Sequence, residues 1–291
     1  MRILIFGLGG MLGHKLYQQL SPHFEAYGTI RGGFDTIERY GIYDADKTVV
    51  HVNAENIESV EHALKTVRPD VVINAVGIIK QLPNAKNVIK SLTINSIFPN
   101  QLAELTEKYG YRFITISTDC VFDGAKGNYT ENDIPNAVDL YGKSKNLGEV
   151  TGENCLTIRT SIIGRELGTH HSLVEWVMSN RGKQINGFTN AIYSGFPTVI
   201  FADIISSLIT EHAGLSGLYH VASTPISKYE LLRLINKHYD AGIEIVPSDE
   251  FKIDRSLDAS RFNALTGFKP QPWDEMIRTM AADTTPYDNW K

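Results

Sequence analysis

A chain of 291 residues, 42% of them hydrophobic, is long enough to bury a large core as one big domain or two, and is no peptide-scale binding module. A formal net charge of −5 gives no general attraction to phosphate backbones or acidic membranes, so neither nucleic acid nor a membrane is the expected partner. Any anion it binds must be held locally.

Two cysteines, Cys120 and Cys155, are too few for a disulfide framework and lack metal-ligand spacing, which fits a reducing, cytoplasmic setting. Only His170 and His171 among the histidines are adjacent, and no carboxylate or cysteine at helical spacing completes a site, so no metal is expected. The opening MRILIFGLGGMLGHKLYQQL sets Arg2 before an apolar run, but the run is short, glycine-broken and without a small-residue cleavage pattern. It is read as the start of the fold. Elsewhere the longest apolar runs, such as VVINAVGII, fall well short of the ~20 residues of a membrane span.

In chain order, RILIFG, FEAYGTI, TVVHVNA, DVVINAVG, RFITIST and CLTIRTSI are predicted strands, since short β-branched runs of this kind suit a parallel sheet covered on both faces. Between them lie helical stretches such as ENIESVEHALKTVRPD, with Ile57, Val60, Ala63, Leu64 and Val67 on one stripe and Pro69 closing it. The alternation predicts an α/β fold with a doubly wound parallel sheet, the Rossmann arrangement. After about Ser161 the rhythm changes to irregular connections (GRELGTHHS, QINGFTNAIYSGFPT) and two clear helices, SKYELLRLINKHYD and QPWDEMIRTMAAD. Ser227 with Glu230 three residues later forms a capping box for the first of these. The expected division is a dinucleotide-binding domain over 1–160, to which part of 190–215 returns, and a smaller C-terminal α/β substrate-binding region over 161–291.

Gly7, Gly10 and Gly13 in FGLGGMLGHKL follow a strand and open a helix. Glycines there let the backbone turn sharply and approach a pyrophosphate, which the N–H groups of the helix start then meet. An acidic residue about 20 positions further on is what binds the ribose 2′-hydroxyl of NAD, whereas this second strand ends in Arg31, followed by two glycines. Arginine favours a 2′-phosphate. NADPH is the preferred cofactor, with NADH as an alternative.

LYGKSK sets Tyr141 and Lys145 four residues apart, about 6 Å along a helix axis. A neighbouring ammonium stabilises the phenolate and draws its pKa down from about 10 toward the range useful for acid–base chemistry. Downstream of Gly7-x-x-Gly10-x-x-Gly13, this pair resembles the extended short-chain dehydrogenase/reductase family. The resemblance implies that Thr118, ending the strand before STDCVFDG, hydrogen-bonds a substrate carbonyl, that Tyr141 protonates it, and that Lys145 holds the nicotinamide ribose and tunes Tyr141. It also implies cofactor contacts from Gly7, Gly10, Met11, Leu12, Gly13 and Arg31, and from Ala75, Val76 and Gly77 after the fourth strand.

More finely, STDCVFDGAKGNYTENDIPNAVDLYGKSKNLGE, IRTSIIG, GLYHVAS and SKYELL are similar to the dTDP-4-dehydrorhamnose reductase group over nearly the whole chain. The longest departures are GIIKQLPNAKN and RSLDASRF, both where such enzymes contact substrate, and Cys120, which replaces a usual aromatic and is read as a small buried filler. A family dehydratase needs Thr-Asp-Glu; this chain has Thr-Asp-Cys, which favours simple carbonyl reduction, with Asp119 positioning sugar hydroxyls. The implied reaction is NADPH-dependent reduction of C4 in a nucleoside-diphosphate-linked 4-keto-6-deoxy sugar for polysaccharide or cell-envelope biosynthesis. Arg165, Ser194 and Arg255 are the further substrate candidates. The rivals are a sugar-nucleotide epimerase that retains its cofactor and a non-catalytic NADP-binding regulatory subunit. A homodimer is a family-level expectation, and the sugar and base stay open.

Overall fold

A computed structural model describes residues 1–80 and 86–290; the middle of GIIKQLPNAKN, residues 81–85, lies outside the described residues. The strands are β1 (Arg2–Phe6), β2 (Glu25–Thr29), β3 (Thr48–Val49), β4 (Val71–Asn74), β5 (Arg112–Thr118), β6 (Cys155–Thr160), β7 (Ile162–Ile163), β8 (Gln184–Tyr193), β9 (Phe196–Pro197), β10 (Gly217–His220), β11 (Ile226–Ser227) and β12 (Glu244–Asp254). The helices are α1 (Met11–Leu20), α2 (Asp35–Glu38), α3 (Ile57–Val67), α4 (Val88–Leu92), α5 (Phe98–Tyr109), α6 (Leu140–Leu147), α7 (Leu173–Ser179), α8 (Thr198–Thr210), α9 (Lys228–His238), α10 (Ser260–Thr266) and α11 (Trp273–Ala281). A π-helical turn, Thr93–Ile97, joins α4 to α5.

The chain divides into two contact units. The first comprises Met1–Ser117, Val138–Ile158 and Ala202–Leu218; the second comprises Thr118–Ala137, Arg159–Phe201 and Tyr219–Lys291.

Among the described residues the first unit is built on a seven-stranded sheet of order β10-β6-β5-β4-β1-β2-β3. β3, β2, β1, β4 and β5 run parallel, with Ile3 beside both Ala26 and Val71. β1 and β4 are buried almost throughout, which is why their sequences are apolar runs with no alternation. On one side, Val60, Ala63, Leu64 and Val67 of α3 and Phe98 and Leu102 of α5 pack on Leu4, Phe6, Val72 and Phe113. Phe6 and Phe98 meet edge to face at 5.6 Å between centroids. Truncating a core phenylalanine such as Phe98 to alanine costs about 3–5 kcal/mol. α3 starts where the Asn56 side chain accepts the Glu58 N–H and stops at Arg68, in the left-handed region just before Pro69.

Chain order reverses on either side of β1: β2 and β3 lie one way, β4 and β5 the other. In doubly wound sheets the crevice outside the strand ends at such a reversal is where ligands bind. The loops after β1 and β4 emerge there.

The second unit carries the sheet β11-β8-β12, in which β12 runs parallel and β11 antiparallel to β8. A bulge between Ser248 and Lys252 interrupts the β8–β12 register. A short ribbon pairs β7 with β9, and Val121, Phe122, Tyr129, Ala222, Leu257 and Ala259 form a separate apolar cluster. Of the capping box read at Ser227 the structure shows the N-cap half, the Ser227 hydroxyl accepting the Glu230 N–H at 3.1 Å, while the Glu230 carboxylate pairs with Arg233. Among the described residues no helix is long and apolar enough to cross a membrane.

Candidate active site

β1 runs straight into the glycine turn. Gly7 has φ +97°, a conformation L side chains rarely adopt, and a Cβ there would press on Val76 at 3.0 Å. Gly13 is needed for another reason: a Cβ on it would collide with the Gly7 carbonyl oxygen, so only glycine lets α1 start this close to β1. Gly10 is the N-cap of α1, its N–H bonded to the Gly7 carbonyl at 3.1 Å; no side chain caps the helix and its first turn holds no acid. The first N–H groups of α1 therefore have no side-chain acceptor, and they carry the positive end of the helix dipole. Leu12 is buried and offers the turn only its backbone, while Met11 is half-buried. Ala75 and Val76 pass alongside Gly7, and the Val76 N–H is held by Asn74 at 3.1 Å. Gly77 is exposed.

Arg31 stands two residues beyond β2, exposed, and makes no hydrogen bond to any described residue. Among the described residues none engages its guanidinium, which leaves it available to an anion.

α6 begins where Asp139 accepts the Gly142 N–H at 2.8 Å, so Tyr141 falls in the first turn and Lys145 one turn later. Tyr141 is half-buried. The Lys145 ammonium donates to the Ile116 carbonyl of β5 at 2.6 Å. Desolvation, partly opposed by the charge of Glu149, pulls the Lys145 pKa down to about 8. Glu149 in turn accepts the Ser117 hydroxyl at 2.6 Å. A second cation stands near the phenol: the Lys80 ammonium lies 5.5 Å from the Tyr141 ring centre and 2.7 Å from Asp139.

Asn95 was not singled out from the sequence, yet it ties this helix to the loop after β4. The π-helical turn aims its side chain inward, where it accepts the Ile78 N–H (2.8 Å) and donates to the Ile78 carbonyl (3.1 Å) and the Ser144 hydroxyl (3.1 Å). Ser96 donates to the Ser144 carbonyl at 2.7 Å, and a Cβ on Gly148 would collide with the Asn95 carbonyl. A π-turn is a recurrent mark of functional positions. The sequence hint is faint, an asparagine in TINSIFPN.

The second unit holds a different cluster. Thr118 is buried; its hydroxyl donates to Asp119 at 3.0 Å and accepts the Cys120 N–H at 3.1 Å. Burial raises the Asp119 pKa above the usual carboxylate range, opposed by the Thr118 hydrogen bond and by the charges of Arg255 and Lys228. Arg255 donates to the carbonyls of Phe122 (2.8 Å) and Asp123 (3.4 Å), with its third nitrogen 3.9 Å from the Cys120 sulfur. Cys120 thus fills no apolar hole, as the sequence reading had it: it is half-exposed and faces a guanidinium.

Two substrate candidates are engaged elsewhere. Arg165 is buried and ion-paired to Glu175 at 2.6 Å and Asp288 at 2.7 Å, with the Tyr287 ring 5.0 Å from its guanidinium. Its charge is neutralised inside the unit, which removes the reason for assigning it to a diphosphate. Ser194 is buried and its hydroxyl accepts the Leu257 N–H at 3.1 Å, a backbone brace. Of the three, Arg255 alone adjoins the Thr118–Asp119 turn.

The family model described as RmlD substrate binding domain matches residues 1–285. Spore coat polysaccharide biosynthesis protein SpsK of Bacillus subtilis is 28% identical over 95% of this chain and 95% of its own length. A dTDP-4-dehydrorhamnose reductase of Aggregatibacter actinomycetemcomitans is 26% identical over 97% of this chain and 98% of its own. The crystal structure of dTDP-4-dehydrorhamnose reductase from Bacillus anthracis, in complex with NADP, superposes with a TM-score of 0.79 at 24% identity, covering 97% of this chain and 99% of that one.

Proposed function

Because the chain belongs to the RmlD substrate binding domain family, we propose that it reduces the C4 carbonyl of a nucleoside-diphosphate-linked 4-keto-6-deoxy sugar, with NADPH as cofactor. The observation that carries this is on α6: Tyr141 is half-buried one turn before Lys145, whose ammonium is pinned to β5 at Ile116.

The glycine turn fits a dinucleotide. Side chains at Gly7 and Gly13 would fill the space beside β1, and the start of α1 carries no acid to compete with a pyrophosphate. Gly7, Gly10, Gly13 and the backbone of Met11 and Leu12 hold that group, Ala75 to Gly77 flank it, and Arg31 reaches the 2′-phosphate that distinguishes NADPH from NADH. When bound, the cofactor supplies hydride to the sugar carbon.

The protein supplies the proton and the field. Tyr141 gives its phenolic proton to the oxygen that becomes an alkoxide; Lys145 stabilises the phenolate left behind and holds the ribose. In the second unit Thr118 serves as a hydrogen-bond partner of the substrate, and Asp119 and Arg255 orient the sugar. The relatives named for polysaccharide biosynthesis and for dTDP-4-dehydrorhamnose reduction support a biosynthetic sugar-nucleotide reductase.

The test mixes purified protein with NADPH and freshly prepared dTDP- and UDP-linked 4-keto-6-deoxyhexoses. One equivalent of NADPH consumed per product formed supports the reading. A sugar isomerised with no net cofactor consumption would instead identify an epimerase.

A further inference from the structure

Lys80 stands in the loop after β4, three residues beyond Gly77, and no step of the chemistry above uses it. Its ammonium donates to Asp139 Oδ2 at 2.7 Å. The other oxygen of that carboxylate, Oδ1, accepts the Gly142 N–H at 2.8 Å and so caps α6. One carboxylate thus starts the helix that bears Tyr141 and holds a cation from a loop 59 residues away. The ammonium it holds lies 5.5 Å from the centre of the Tyr141 ring, within the roughly 6 Å over which a cation and an aromatic face attract.

Stability does not account for the pair. The two side chains are 36% and 40% exposed, and an ion pair so open to water contributes little to folding. The loop and the helix are joined without it, because the buried Asn95 side chain bonds both backbone groups of Ile78 and the Ser144 hydroxyl. Two ties therefore connect the same loop to the same helix, at Asp139 and at Ser144, with Tyr141 between them in sequence. The inner tie holds the backbone; the outer one adds a charge. A charge beside this ring matters because Tyr141 gives up its proton in the reaction. The phenolate carries a negative charge that the phenol lacks, so the ammonium attracts the state formed during proton transfer more than the resting one.

We propose that Lys80 is a positioning residue for the proton-transfer step: held by Asp139 at the start of α6, its ammonium stabilises the negative charge that develops on the Tyr141 ring. This rests on the reductase reading, in which Tyr141 is the acid. The Tyr141 O–H bond breaks, the proton passes to the former carbonyl oxygen, and the electron pair stays on the phenolic oxygen, in conjugation with the ring. Lys145, anchored to β5, acts on the same group, so two cations held by different elements attend one phenolate.

The experiment is single-turnover oxidation of bound NADPH by dTDP- and UDP-linked 4-keto-6-deoxyhexoses, with Lys80→Met, Lys80→Arg, Asp139→Asn and the double variant Lys80→Met/Asp139→Asn. Lys80→Met is expected to react about tenfold more slowly than wild type, with Kd for NADPH and for the sugar nucleotide within about twofold of wild type. Lys80→Arg, which keeps the charge and pairs with a carboxylate, is expected to stay within about threefold of wild type. Asparagine caps a helix as well as aspartate does, so Asp139→Asn keeps the helix start but releases the ammonium. It is expected to match Lys80→Met, and the double variant to be no slower than either single one. Lys80→Met reacting within twofold of wild type overturns the inference and leaves the reductase reading intact. So do losses that multiply in the double variant, or a loss of NADPH affinity as large as the loss of rate. Wild type that oxidises NADPH with none of these sugar nucleotides overturns the reductase reading and the inference with it.

Discussion

The Lys145 ammonium and the Ile116 carbonyl are 2.6 Å apart, and this contact fixes the one cation of α6 that lies a helical turn from Tyr141. It joins the helix to the end of β5, so the lysine is already oriented before any ligand arrives, an arrangement that reduces reorganisation during reaction.

A pH dependence follows. With its pKa lowered to about 8, Lys145 loses its proton in the mildly alkaline range, and the stabilisation of the Tyr141 phenolate goes with it. The kcat of the wild type is expected to fall as pH rises through about 8. A profile flat to pH 9.5 contradicts this role. Stability runs the other way: between about 8 and the ordinary lysine value of 10.5 the unfolded chain binds a proton that the native chain does not, so the cost this group imposes on the fold, full below about 8, is relieved as pH rises across that window.

Asn95→Ala removes three side-chain hydrogen bonds at once and leaves the Ile78 N–H without its acceptor. An unmet buried donor costs about 1–3 kcal/mol, so urea unfolding is expected to show a lower midpoint with an unchanged slope. Because Asn95 also braces Ser144 of α6, kcat should fall more than affinity for NADPH. A variant with wild-type stability would show that the π-helical turn needs no such brace.

Glycines in the first turn are not equivalent. Gly13→Ala places a methyl group against the Gly7 carbonyl and is expected to weaken NADPH binding at least tenfold in a fluorescence titration. Gly9→Ala has nothing within 4 Å of the added carbon and is expected to bind as wild type. Equal behaviour of the two would remove the turn from the cofactor site.

Arg31→Ala tests cofactor choice. The side chain is exposed and unused by the fold, so stability should not change. The KM for NADPH is expected to rise about tenfold or more, the ~1.4 kcal/mol that one charge-assisted phosphate contact supplies, while the KM for NADH stays near its parent value. Equal effects on both would refute the assignment.

The strand runs were legible because burial on both faces demands β-branched residues, and the glycine turn because only glycine tolerates φ +97° at position 7 and the close approach at position 13. Tyr141 and Lys145 were legible because their spacing is local. Where partners come from far along the chain, composition and periodicity are silent. Arg165 carries the charge expected of a diphosphate ligand, but its partners stand 10 and 123 residues away, and those separations decide its fate. Asn95 looks like any polar helix residue until the π-turn rotates it inward, and Lys228 looks like an ordinary helix-start lysine until its ammonium is found 4.3 Å from the centre of the Tyr193 ring.

The most direct test of the central chemistry is a single-turnover measurement of Tyr141→Phe with bound NADPH and a nucleotide-linked 4-keto-6-deoxy sugar that the wild type reduces. NADPH affinity is expected to match wild type while the rate of cofactor oxidation drops at least 100-fold, the scale of a lost general acid. Oxidation at the wild-type rate would show that the proton comes from another group.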